Sequence, residues 1–176
     1  MIETQRLILR RWRQEDIAPF HAMGQDTEVM RFIGPPMSLA DCEAAKARMD
    51  AFADTTGSCF WAVERRSDGA FLGFCGIKPG PDGTPIAGAA EIGWRLRRDA
   101  WGQGYAREGA AACIARGWSD GLDHISAITV AANEQSWGLM ERLGMTRVTN
   151  GDFDHPAVPD GSPLKRHRTW RIDRAA

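Results

Sequence analysis

The sequence predicts a mixed α/β fold of the α+β kind, with a central, mixed but mostly antiparallel sheet flanked by helices. Three observations carry this. Residues 59–66 and 70–78 are apolar runs joined by S-D-G, a turn signal that makes them an antiparallel hairpin. Short strand-like runs alternate with segments whose apolar residues recur at helical spacing, so strands and helices share a core. Residues 86–97 form a strand that passes through a glycine-rich loop into a helix. At 176 residues the chain is long enough to bury a core without staples, and no repeat, heptad, low-complexity tract or linker divides it. Residues 1–176 are therefore expected to form a single domain.

In chain order, Leu7 and Leu9 alternate with Arg6, Ile8 and Arg10, the period of a half-exposed strand with the leucines inward. Residues 15–24 read as a short helix and 26–33 as another, stopped by G-P-P. Ser38 followed by Asp41 resembles a capping box with a short acid and opens a helix over 39–53. After the hairpin, P-G-P-D-G-T-P is a loop ahead of strand 86–97. Helix 104–118 places Ala106, Ala110, Cys113, Ile114, Gly117 and Trp118 on one face, where small residues let it lie close to a sheet. Residues 124–131 are a strand, 135–143 a helix stopped by Gly144, and 145–148 a strand. A polar, proline-rich loop over 150–163 precedes a last strand over 164–172.

With 43% apolar and 26% charged residues and a net charge of −1, the chain lacks the basic excess of a protein that neutralises nucleic-acid phosphates. A small ligand or a peptide fits better. Cys42, Cys59, Cys75 and Cys113 form no C-x-x-C pair and have no His at finger spacing, so neither a metal site nor a disulfide framework is indicated. Buried free thiols in a reducing compartment are the default. The first residues have no signal-peptide core, and no window approaches the roughly 18 apolar residues that cross a bilayer. The expectation is a cytoplasmic protein with no metal, no membrane and no nucleic-acid partner.

The chemistry-bearing stretch is E-I-G-W-R-L-R-R-D-A-W-G-Q-G-Y-A-R-E-G, from Glu91 to Gly109. Unpaired N–H groups of Gly102, Gln103, Gly104, Tyr105 and Ala106 at the first turn of a helix favour an anion such as a pyrophosphate. Gly102 and Gly104 can take φ > 0 and let the backbone approach a ligand. The alternative is an ordinary strand-to-helix turn that holds two glycines. A dinucleotide fingerprint is disfavoured, because its third glycine position is Arg107 and the spaced acid, Asp123, precedes its strand. A P-loop is excluded by the absence of G-K-[ST].

Taken together, T-Q-R-L-I-L-R-R-W, A-E-I-G-W-R-L, W-G-Q-G-Y-A-R-E and N-E-Q-S-W-G-L-M-E-R-L-G-M resemble the Gcn5-related N-acetyltransferase (GNAT) superfamily, in the branch of the ribosomal-protein-alanine acetyltransferases RimJ and RimL. These pieces occur in the family's order over nearly the full length. The resemblance implies acetyl-CoA as donor, its pyrophosphate cradled by backbone amides from Trp101 to Ala106. In the superfamily pattern Q/R-x-x-G-x-G/A, Trp101 stands at the Gln/Arg position, as is usual in this branch, while Gly104 and Ala106 match. It implies direct transfer of acetyl from the thioester to a primary amine, either a protein N-terminal α-amine or a small-molecule amine. Dimers are common in the family, so a homodimer is among the expectations. A non-catalytic acyl-CoA sensor on the same fold is the alternative class, and acceptance of a bulkier acyl group is a third reading.

The amine must be neutral to attack, which an α-amine with pKa about 7.7–8 meets far more readily than a lysine near 10.4. Glu91 is the candidate general base, directly or through a water, with a solvated strand carboxylate or an arginine partner as its plainer role. Backbone amides of Gly93, Trp94, Arg95 and Leu96 would hold the thioester carbonyl. The resemblance also implies that this strand splays from 124–131 to admit the pantetheine arm. The family's usual general-acid tyrosine falls at Met140, and the only tyrosine is Tyr105. Asn133 and Ser136 keep the branch's N-x-x-S spacing, which implies Asn133 on the pantetheine arm and Ser136 at the sulfur; both residues also suit a helix N-terminus. Asp152, Asp154, His155 and His167 are candidates for an amine pocket or for a solvated loop. Trp12, Phe32, Trp61 and Trp137 are candidates for a groove wall or for the core.

Overall fold

The computed structural model describes residues 1–175. Its sheet is built from β1 (Ile2–Glu3), β2 (Leu7–Arg10), β3 (Phe60–Arg65), β4 (Phe71–Pro79), β5 (Ala90–Leu96), β6 (His124–Val130), β7 (Thr146–Arg147), β8 (Phe153–Asp154) and β9 (Arg166–Asp173). The spatial order is β1-β2-β3-β4-β5-β6-β9-β7, with β8 also paired to β9. Every pairing is antiparallel except β5 with β6. The helices are α1 (Ile17–Gln25), α2 (Thr27–Met30), α3 (Leu39–Thr56), α4 (Tyr105–Ser119) and α5 (Glu134–Arg142). No helix among the described residues is long and apolar enough to cross a membrane.

The predicted hairpin, the mixed sheet and the capped start of α3 are present. Ser38 N–H donates to Asp41 at 2.8 Å and Asp41 N–H donates to Ser38 Oγ at 3.2 Å, the reciprocal box. Helix α4 packs on β4 and β5 through its small residues: a Cβ on Gly117 would come within 3.0 Å of Ile125 and Leu122, and one on Gly109 would just touch Cys75 and Leu7. Cys75 and Ile77 thus face α4, whereas Phe74 and Lys78 face the other side, where Phe74 packs against Phe20 and Trp12. The four cysteines are free and buried.

Three expectations need correction. The strand expected from residue 86 begins at Ala90, because 80–89 closes on itself through Gly80 N–H to Ala89 O at 2.8 Å and Gly88 N–H to Gly80 O at 3.1 Å. Strands β1 and β8 are two residues each, too short to carry a period, and exist only through their partners. Arg10 is buried, not on a wet face: its Nη1 and Nη2 donate to Asp16 at 2.8 and 2.9 Å and its Nε to Glu64 at 2.6 Å. Alternation alone puts a residue on a face and says nothing of what covers that face. Asp16→Ala would leave this guanidinium buried with half its partners gone, so a loss of about 3–5 kcal/mol is expected. A lower urea midpoint at unchanged slope is the check.

Candidate active site

The glycine loop has a backbone geometry that could hold an anion. Gly102 and Gly104 sit at φ +72° and +80°, and Gly104 is the residue from which α4 starts. Among the described residues, the N–H groups of Gly102, Gln103, Gly104, Tyr105 and Ala106 donate to no protein acceptor. They converge at the positive end of a 15-residue helix. Side chains hold the loop from behind. Arg6 Nη1 donates to Gln103 O at 2.9 Å, Arg6 Nε to Glu108 at 2.6 Å, Trp101 Nε1 to Leu96 O at 2.8 Å and Gln103 Nε2 to Asp99 O at 2.7 Å. The Arg6 guanidinium covers the buried Tyr105 ring at 4.6 Å, so this tyrosine belongs to the anchor of the loop.

Strands β5 and β6 are paired in register at Glu91 opposite Ser126, and the ladder does not continue beyond it. On its other edge β5 is fully paired to β4, from Ala90–Pro79 to Leu96–Gly73. The edge of β5 from Ile92 to Leu96 is thus turned toward an opening that leads to the glycine loop. The two strands thus separate where the sequence-based expectation put an opening. Unpaired amides on a helix N-terminus, reached through a strand edge left open, fit the pyrophosphate and the extended arm of coenzyme A.

Glu91 stands where the two strands part. It is buried, on the face away from α4, and its carboxylate is ion-paired to Lys78, its register partner on β4. Lys78 also donates to Pro79 O at 3.0 Å and lies over the Phe60 ring at 5.1 Å. Burial raises the Glu91 pKa above the ordinary carboxylate range, and Lys78 pulls it part of the way back. Lys78 was not among the residues singled out from the sequence; the register of β4 and β5 places it opposite Glu91.

Asn133 caps α5, accepting from Ser136 N–H at 3.4 Å, and its Nδ2 donates to Thr129 Oγ1 at 3.2 Å. The Ser136 hydroxyl is half-buried and makes no hydrogen bond among the described residues. Met140 is a core side chain.

Of the four polar candidates on the acceptor side, the structure brings two together. His155 and His167 lie with ring centroids 4.9 Å apart, and Phe153 is 5.7 Å from His167. Burial lowers both histidine pKa values, and for His155 the neighbouring His167, Lys165 and Lys78 add to it. Asp152 and Asp154 instead pair with Arg147 at 2.8 Å and Arg166 at 3.3 Å. Trp12 and Trp61 are core, and Trp137 is tied by its Nε1 to Ala131 O at 3.0 Å. A cavity of about 320 Å³ is lined by Trp61, Ile77 and Gly117 on the α4 side, and Lys78 and Ala90 also line it.

This fold and cradle define a class, and comparison with known proteins names it. A model of the acetyltransferase (GNAT) domain matches residues 6–146, and the chain belongs to that family. It is an acetyltransferase of a family that uses acetyl-CoA. The Bacillus subtilis protein YkkB is 34% identical over 90 residues, a match spanning 51% of each chain. The uncharacterized N-acetyltransferase YoaA of the same organism is 28% identical over 84% of this chain and 83% of its own. An acetyltransferase from Agrobacterium tumefaciens C58 shares the fold at a TM-score of 0.78 and 23% identity, covering 98% of this chain and 94% of that one. RimL, a ribosomal L7/L12 alpha-N-protein acetyltransferase solved in complex with coenzyme A, does so at 0.77 and 14%, covering 97% and 95%.

Proposed function

We propose that the chain transfers acetyl directly from acetyl-CoA to a primary amine, a protein N-terminal α-amine or a small-molecule amine, in the cytoplasm, with Glu91 as general base and Ser136 as proton donor. The observation that carries this is the position of Glu91: buried, on the acceptor face, at the point where β5 leaves β6. Bound acetyl-CoA supplies an activated acetyl thioester.

The chain's own groups do the rest. The amides from Trp101 to Ala106 bind the pyrophosphate, and Asn133 faces the pantetheine arm. The β5 backbone from Gly93 to Leu96, Trp94 and Arg95 included, offers donors to the carbonyl, the preorganised role that needs no side chain. Glu91 takes the ammonium proton, its raised pKa placing it nearer that of an α-amine than an ordinary carboxylate stands. The Ser136 hydroxyl, uncommitted within the protein, holds a proton for the departing sulfur. A thiol of pKa about 8.5 leaves tolerably without help, so Ser136→Ala is expected to slow kcat only about tenfold.

The test is mass spectrometry of acceptors incubated with enzyme and acetyl-CoA: short peptides differing in their first residue, amino acids, polyamines and aminoglycosides. One acceptor class gaining an acetyl group on nitrogen is the expected result. Acetyl appearing only on hydroxyls or thiols would refute the amine assignment.

A further inference from the structure

Two arginines of the chain extend into its interior, and they differ. Arg10 is saturated by carboxylates of Asp16 and Glu64. Arg95 pairs with no carboxylate among the described residues. Its Nη1 meets only two thioether sulfurs, Met30 Sδ at 3.5 Å and Met37 Sδ at 3.3 Å, and its Phe74 neighbour lies under the guanidinium at 5.2 Å. Its Nε is buried without any partner, and Nη2 makes no hydrogen bond among the described residues and is not closed off from solvent. Burial pushes its pKa down to about 10, so it stays charged at neutral pH. A cation this far from solvent and without a counter-charge is destabilising, and an apolar side chain would fit its thioether and aromatic neighbours better.

The position gives that cost a use. Arg95 pairs with Phe74 across the strands, as Glu91 pairs with Lys78, and these four share the face away from α4. Between them lies Gly93, where a Cβ would strike the Phe60 ring at 2.7 Å. Glu91 and Arg95 are therefore two ends of one row, on the acceptor side of the strand that leads to the cofactor loop. With Nη1 held by the sulfurs, the edge left over is Nε–Nη2, the side-on fork that takes a carboxylate through two parallel hydrogen bonds. Because Nε is closed off, a carboxylate on this edge needs a small shift of the guanidinium, which the flexible thioethers of Met30 and Met37 on Nη1 can follow.

We propose that the Arg95 guanidinium binds a carboxylate of the acceptor, so that the substrate is an amine that carries an acid group, such as a free amino acid, and not a neutral or purely cationic amine. This rests on the N-acetyltransferase reading. If a phosphate of coenzyme A were the anion instead, loss of Arg95 would cost acetyl-CoA affinity alone.

Free amino acids and their C-terminal amides, compared as acceptors by acetyl-CoA-dependent thiol release, give the first test. With rates divided by the neutral-amine fraction, which at a given pH is smaller for an amino acid than for its amide, the acids are expected to exceed the amides at least tenfold in kcat/KM, a ratio that Arg95→Gln reduces to within about twofold. Equal use of acids and amides, an unchanged ratio in the variant, or a loss confined to acetyl-CoA affinity would overturn the proposal. A second test needs no turnover. In coenzyme A-loaded protein the Arg95 Nε–H resonance, assigned by its loss in Arg95→Lys, should shift on titration with N-acetyl amino acids and not with their amides. Arg95→Met should raise Tm by about 2–4 °C, as loss of a costly functional group does. A resonance indifferent to carboxylates, or a lower Tm in Arg95→Met, would refute the proposal whatever becomes of the transferase reading.

Discussion

Glu91→Gln is expected to lower kcat by about 10²- to 10⁴-fold, the range of a positioned general base. The substitution keeps the shape of the side chain and removes its capacity to take a proton, together with its charge and its ion pair to Lys78. Lys78 keeps its bond to Pro79 O and its place over Phe60, so the local packing survives. The pH dependence separates a chemical loss from a structural one. The proposed base would work as a carboxylate, and burial holds its pKa above the ordinary value. Wild-type kcat/KM should therefore fall as the pH drops through that raised value, at higher pH than an exposed glutamate would give. The variant should lack this acid limb and follow only the neutral fraction of the amine. A pH series of initial rates for both proteins reads this directly.

Gly104→Val is expected to raise the Kd for acetyl-CoA at least tenfold. The residue sits at φ +80°, where an L side chain costs roughly 1–2 kcal/mol and a β-branched one more. Space is not the obstacle, since the nearest atom to an added Cβ is Arg6 Nη2 at 3.4 Å. If the residue relaxes out of this conformation, the carbonyl that accepts from Glu108 N–H at 3.0 Å turns away and the amides ahead of it no longer converge. A control isolates the backbone cost: Gly88→Ala, at φ +71° in the 80–89 turn with nothing within 4 Å, should lower Tm and leave acetyl-CoA affinity unchanged. Calorimetric titration of the variants checks this.

The cradle was legible in the sequence because its demands are local. Two glycines at positive φ and a helix opening beside them are fixed by neighbours along the chain. The splay was expected only from the resemblance, since no spacing shows where a parallel pair ends. Glu91 was legible as a carboxylate on the right strand, but not its face or its Lys78 partner, which depend on the register of β4 and β5. Arg95 entered the reading only for its backbone amide. Its missing counter-charge is visible only once Met30 and Met37 are seen to occupy the places where acids would stand. His155 and His167 are separated by a loop whose two-residue strand, β8, leaves no period; the pairing of Phe153 with His167 is what joins them.

The central claim is amine-dependent transfer at the open strand edge, and it is tested most directly by initial rates of thiol release from acetyl-CoA, with and without the acceptor panel, in wild type and Glu91→Gln. Release that requires an amine and falls at least a hundredfold in the variant is the predicted result. Acetyl-CoA that binds and is never released as thiol above the amine-free rate, with either protein, would contradict the account and leave a binding module on the same fold.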